Sequence, residues 1–221
     1  MSSLKIIYSI YIIMLQRCFD NNFNEIQIGV DEAGRGSLAG PVFAGAVIFD
    51  PNFEHEKLNE IKDSKKMTRK KRNELKLFIE NNALAFSVES CDNSVIDETN
   101  ILNATYSAMH KALNKIYENI KFNHIIVDGN RFKTFVTKDG FIKHTCVIKG
   151  DNKYLNIAAA SILAKTYHDD YIDTLCNDNP DFEKYGWRKN MCYGTKQHID
   201  AIKEYGLTDY HRKSYKINLF S

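Results

Sequence analysis

Four carboxylates stand where apolar runs stop. Asp31 and Glu32 close IQIGVDE just ahead of a glycine cluster, Asp128 closes HIIVD, and Asp151 follows FIKHTCVIKG. Most of the 28 acidic residues in this 221-residue chain must decorate solvated surface, and an aspartate at a strand end is commonly a turn residue. These four share a place in the pattern. If the strands ending at Asp31 and Asp128 are neighbours and Asp151 opens the path into a helix beside them, all four meet at one sheet edge and repel one another. Hard divalent cations, Mg²⁺ or Mn²⁺, would neutralise such a cluster, since no grouping of thiolates or imidazoles offers softer ligands. Two ions about 3.5–4 Å apart can activate a water and stabilise the leaving oxygen of a phosphodiester. Two readings stand at this point, a metal-ion cluster and ordinary turn aspartates.

Positioning these acids makes demands on the chain. Side chains alternate faces along a strand, so Asp31 and Glu32 converge only if the strand bends or ends between them, and the AGRG that follows is expected to supply the bend. GRGSLAG also resembles the dinucleotide fingerprint GxGxxG. Its glycines, Gly34, Gly36 and Gly40, are spaced one residue too far, and Pro41 with a β-rich run stands where the phosphate-binding helix must start. A nicotinamide-binding module is thereby disfavoured.

The pattern predicts strands at IQIGVD and PVFAGAVIF, joined as a hairpin, and at ALAFSVES, HIIVDGN and the run up to Asp151. Helices are predicted at 68–82, at 99–119 through Leu102, Tyr106, Met109, Leu113 and Ile116, and from Leu155 through LNIAAASILAKTYHDDYIDTL. The Ala158–Ser161 patch is small enough to let that last helix lie close on a sheet. RFKTFVTKDG reads as a hairpin loop, and TKQHIDAIKEY as a shorter helix stopped by Gly206. The sum is an α/β fold: a mixed central sheet flanked by helices, with a helical C-terminal segment at about 180–221.

Composition bounds the rest. With 43% hydrophobic residues and a formal charge of +2, the chain can bury a core, and attraction to polyanions has to come from local clustering of cations. Five cysteines, odd in number and without a CxxC pair, argue against a disulfide framework and a zinc knuckle and fit a reducing, cytoplasmic setting. The apolar run at 6–15 is about half the length of a bilayer span, and a signal peptide is disfavoured because only Lys5 precedes it and no cleavage pattern follows. Met14 is an alternative start. Residues 1–24 are read as an extension of open role and 25–221 as one domain.

Six blocks resemble type 2 ribonuclease H, ribonuclease HII: GVDEAGRGSLAGPV, DSKKMTRKKR, VDGN, KGDNKYLNIAAASILAK, YGTKQH and HRKSY, in family order from about residue 28 to 215. The resemblance implies an RNase H-like fold and a monomeric endonuclease, dependent on Mg²⁺ or Mn²⁺, acting on RNA–DNA hybrids. It also implies incision 5′ of single ribonucleotides in duplex DNA, leaving 3′-hydroxyl and 5′-phosphate ends. The family's metal-binding carboxylates fall on Asp31, Glu32, Asp128 and Asp151, the four that strand-end placement picks out. Its GRG segment falls on Gly34, Arg35 and Gly36, where glycine permits close approach of backbone to a ribose 2′-hydroxyl. Lys65 and Lys66 fall where the family contacts phosphate. The basic run on to Arg72 is read as solvated, although it also resembles a nuclear localisation signal. Tyr193 falls on the tyrosine that packs against the sugar after the ribonucleotide; its plainer reading is a half-buried tyrosine. Lys149, Lys165 and Arg212 are weaker phosphate candidates, and His211 is a candidate for the rim of the site.

A type 3 enzyme would carry a sizeable N-terminal substrate-binding domain, for which the 27 residues before IGVDE leave no room. The rival of a different class is a hybrid-binding protein on the same fold that has lost catalysis, against which the intactness of all four acids speaks.

Overall fold

A computed structural model of the chain describes residues 15–217 other than residue 63, and the backbone alone at Lys66. Most of the apolar run at 6–15, Met14 and the side chain of Lys66 therefore lie outside the described residues.

Strand β1 (Gln27–Ala33) is the hub of a five-stranded sheet. It pairs antiparallel with β2 (Val42–Ile48), which pairs antiparallel with β3 (Ala85–Cys91). On its other side it runs parallel to β4 (His124–Asp128). Beyond β4, past a small separate hairpin of β5 (Val136–Thr137) and β6 (Gly140–Phe141), the edge strand β7 (Lys143–Val147) is again parallel. The expected β1–β2 hairpin and mixed sheet are present, and RFKTFVTKDG does form a hairpin.

Residues of β1 alternate between two helical layers. Ile28 and Val30 face α3 (Ile101–Tyr117), in a core shared with Val42, Ala44 and Ala46. Gly29 and Asp31 face α4 (Leu155–Asp178). The close approach expected of the Ala158–Ser161 patch depends equally on the sheet: a Cβ on Gly29 would lie 2.2 Å from the Asn156 carbonyl carbon, and one on Gly45 2.4 Å from the Ala160 oxygen. Buried Asn156 then stitches the layers, donating to the Gln27 carbonyl at 2.9 Å and accepting from Phe49 N–H at 3.1 Å. Helix α1 (Arg69–Asn82), capped by Thr68, packs Leu75 and Ile79 beside α4.

Two predicted boundaries differ. The helix expected at 99–119 is α3 preceded by a separate short helix, α2 (Asn93–Thr99), with Asn100 left-handed (φ 79°) between them. The Asn100 side chain accepts from Asn103 N–H, capping α3. The buried stripe of α3 also includes Ala104, Ala108 and Ala112, which a pattern keyed to large apolar residues passes over.

The C-terminal segment folds as α5 (Trp187–Asn190) and α6 (Lys196–Tyr205), packing Trp187, Cys192 and Ile202 onto Ile172 and Cys176 in the second half of α4. At the other end of the chain, Gln16 bonds Lys153 and Leu155 through its backbone, and Phe19 packs edge-on to His124. Residues 15–24 thus lie on the domain.

A candidate active site among four carboxylates

The parallel strands all end at one edge of the sheet. Val30 is level with Val127, and Val127 with Cys146, so Asp31 stands beside Asp128, the last residue of β4, and Glu32 extends past the end of that strand. The expected bend between Asp31 and Glu32 is not there. Their register with β2 is unbroken, Asp31 opposite Gly45 and Glu32 opposite Ala44, and the chain turns only after Ala33. Asp31 comes near Asp128 as its neighbour across the parallel pair, and Glu32 does so because β4 stops beside it, not because β1 bends.

Each acid is held by a short local contact. Asp31 accepts from its neighbour's N–H (Glu32, 2.7 Å) and from Ser161 of α4. Arg35 donates to Glu32 at 3.0 Å. Asp128 accepts from Gly150 N–H at 2.6 Å. Asp151 lies on the 3₁₀ turn Gly150–Asn152 after β7 and accepts from the Asn152 amide at 2.8 Å.

The electrostatics are those of a cluster short of positive charge. Burial holds the Asp31 carboxyl well above the usual aspartate range, and the charges of Glu32 and Asp128 push it further. Glu32 is also raised by burial, although Arg35 opposes the shift. Asp128 is raised by burial and then by Asp151, against the pull of Gly150 N–H. The donors are all carboxylate oxygen and their charges oppose one another, which fits a hard divalent ion. Among the described residues no three His, Cys, Asp or Glu side chains already surround a point that could hold one; an ion would draw these acids together.

Beside the acids lies a cavity of about 480 Å³, lined by Glu32, Gly34, Gly36, Lys65, Lys165 and Tyr193 among others. Gly34 is left-handed (φ 85°), and a Cβ there would lie 2.6 Å from the His168 ring, so only glycine fits. Tyr193 is carried to Gly36 by backbone pairing between the two loops: Ser37 bridges Tyr193, and Leu38 N–H donates to the Cys192 carbonyl at 2.7 Å. A Cβ on Gly36 would lie 3.4 Å from the tyrosine ring. The ring is 37% exposed, with the Lys165 ammonium 5.4 Å from its centroid. Lys65, which also lines the cavity, acts electrostatically on Glu32 and Asp128.

Several residues depart from the sequence reading. Arg72, expected in solvent, is buried, lines the cavity and donates to Asp169 at 2.8 Å. Asp169, which sequence reasoning passed over, also takes Lys165 at 2.7 Å and His168 at 3.0 Å. A signal for both existed: Arg72 falls three and seven residues before Leu75 and Ile79 on the apolar face of α1, and HDD sets His168 and Asp169 among the buried positions of α4. Arg212, a phosphate candidate, is fully buried and bonds only within the protein among the described residues. His211 is not at the rim. It is buried between His198 and Thr208, and burial with the neighbouring imidazole lowers its pKa to about 4. Lys149 is exposed at the turn that carries Asp151.

The family model for ribonuclease HII matches residues 28–218. Ribonuclease HII of Christiangramia forsetii is 52% identical over 191 residues, 86% of this chain and 89% of that protein. Among solved structures, ribonuclease H2 from Pyrococcus horikoshii superposes with a TM-score of 0.68 at 26% identity, covering 86% of this chain and 93% of that one. Bst-RNase HIII in complex with Mn²⁺ shares the fold at a TM-score of 0.57 and 17% identity, over 88% of this chain and 64% of that one.

Proposed function

The chain belongs to the ribonuclease HII family and is a ribonuclease H enzyme; from that premise we propose a metal-dependent endonuclease that cuts the RNA strand of RNA–DNA hybrids and incises duplex DNA 5′ of a single ribonucleotide. The observation that carries the reading is the carboxylate cluster at the sheet edge: three of its acids have raised proton affinity, and a cavity with cationic walls adjoins it. Asp31, Glu32, Asp128 and Asp151 are the residues that would hold Mg²⁺ or Mn²⁺. A pair of such ions, when bound, supplies activation of water and neutralises charge on the leaving oxygen.

The protein's own groups do the rest. Ser161, Arg35 and Gly150 N–H aim the carboxylates before any ligand arrives. The backbone of Gly34, Arg35 and Gly36 meets the ribose 2′-hydroxyl, the group that separates RNA from DNA. Lys65 and Lys66 engage backbone phosphate, and Lys165 with Arg72 adds positive charge on the same cavity. Tyr193 lies against the following sugar, where a flat ring fits a deoxyribose and crowds an added hydroxyl. The catalytic unit is taken as residues 25–221, acting as a monomer. Five free cysteines favour a reducing, cytoplasmic setting. Among the described residues no helix is long and apolar enough to cross a membrane.

Mapping the ends of the cut tests the reaction. A duplex carrying one ribonucleotide, incubated with Mg²⁺, is expected to yield a 3′-hydroxyl and a 5′-phosphate immediately 5′ of the ribonucleotide. A 2′,3′-cyclic phosphate 3′ of it, formed without added metal, would mean that the 2′-hydroxyl itself attacks, and the two-ion reading would fall.

A further inference from the structure

Arg212 is a buried cation without a carboxylate partner among the described residues. Its guanidinium instead donates to the carbonyls of Gly34 at 2.7 Å, Arg35 at 3.0 Å, Gly40 at 3.0 Å and Pro41 at 3.1 Å, and to the Tyr215 hydroxyl at 3.0 Å. Tyr215 in turn donates to the Arg35 carbonyl at 2.7 Å. The segment bearing Arg212 runs along this loop through backbone bonds as well, from Gly40 N–H to Tyr210 and from Arg212 N–H to Leu38. One fork thus fixes both ends of the turn that lies between β1 and β2.

The carbonyls it grips belong to particular peptide groups. Gly34 C=O shares its peptide with Arg35 N–H, and Arg35 C=O shares its peptide with Gly36 N–H. Both residues line the cavity, and among the described residues neither N–H has an acceptor. A charged donor on a carbonyl oxygen draws electron density through the amide and makes the N–H at its other end a stronger donor.

We propose that Arg212 is a positioning residue for ribose recognition, holding and polarising the Gly34–Arg35 and Arg35–Gly36 peptides from beneath so that their N–H groups bind a sugar oxygen in the cavity. The proposal rests on the reading that this loop meets the 2′-hydroxyl. Arg212 never touches substrate; Tyr215 is its auxiliary, adding a second donor to one of the two carbonyls.

The test compares binding of two duplexes of one sequence, one with a single ribonucleotide and one all-deoxy, by fluorescence anisotropy in an Asp128→Asn background to prevent cutting. The parent is expected to prefer the ribonucleotide duplex. Arg212→Lys, which keeps the charge and loses the fork, is expected to cut that preference about tenfold, and Tyr215→Phe about threefold. A merely structural role would weaken both duplexes alike and leave the ratio unchanged. A parent without preference overturns the reading of the loop, and the proposal with it. A parent with preference that both variants retain overturns Arg212 alone. If Arg212→Lys does not fold, Tyr215→Phe decides, since its hydroxyl bears on the same carbonyl with the guanidinium intact.

Discussion

Two aspartates pack into the interface of α4, Asp31 from the sheet and Asp169 from the helix, and the protein treats them in opposite ways. Asp169 is met by Arg72, Lys165 and His168, and these hold its carboxyl below the usual range in spite of burial. Asp31, equally buried, is met by two further acids, and its carboxyl is held well above that range. A fold that can gather three donors around one carboxylate has not done so for the other. A satisfied buried charge is structural; a cluster of acids left repelling one another costs stability, a cost that a ligand supplying the missing charge would offset.

The contrast is broken most severely by removing a carboxylate from the cluster. Asp128→Asn is expected to lower the nicking rate by about 10³-fold or more, since several kcal/mol of transition-state charge stabilisation depend on the ions. The same class of change should raise stability: Asp31→Asn removes a repelled buried charge and is expected to add about 1–2 kcal/mol in the metal-free protein, read by urea denaturation. Asp169→Asn is expected to do the reverse, costing about 3 kcal/mol because Arg72 and Lys165 are left buried without their counter-charge. Similar signs for the two would remove the distinction.

Tyr193→Ala is a smaller change. It is expected to shift the ratio of single-ribonucleotide to all-RNA cleavage about five- to tenfold toward the hybrid, with little effect on stability, because it removes one ring contact to a sugar. An unchanged ratio would end the junction-sensing role.

Acid titration sharpens the comparison further. Asp31 keeps its proton in the fold to a pH at which the unfolded chain has lost it, so its contribution to stability falls as pH rises from the ordinary aspartate value to its raised one. Asp169 binds its proton less readily folded than unfolded, so its contribution is present above the ordinary value and is lost as pH falls through the lowered one. The excess stability of Asp31→Asn and the deficit of Asp169→Asn are both expected to shrink toward zero as the solution is acidified, from opposite sides, in denaturation curves taken across that range.

Much of this was legible in the residue pattern. Apolar runs that stop at Asp31, Asp128 and Asp151 mark strand ends, and the parallel pairing of β1 with β4, a condition the pattern leaves open, is what places the acids together. The Gly34 and Gly36 positions also declare themselves, because glycines after a strand signal a turn where backbone comes close. What stayed hidden depends on three-dimensional partners. Arg72 stands in a basic run in which no single cation differs from the next until the apolar phase of α1 is followed. Arg212 and His211 belong to a polar block whose burial comes from the packing of the C-terminal segment on α4, and side chains that look like surface contacts from their chemistry are interior supports. Gly29 and Gly45 carry no chemistry, and their role appears only when the backbone of α4 is laid across them.

The central claim is that the carboxylate cluster exists to hold divalent cations, and calorimetric titration of Mn²⁺ into wild type and Asp31→Asn tests it most directly, without substrate or turnover. Saturable Mn²⁺ binding by wild type that is lost or greatly weakened in Asp31→Asn, in a variant more stable than its parent in the absence of metal, is the predicted result. Equal Mn²⁺ binding by the two proteins, or none by either, would contradict it.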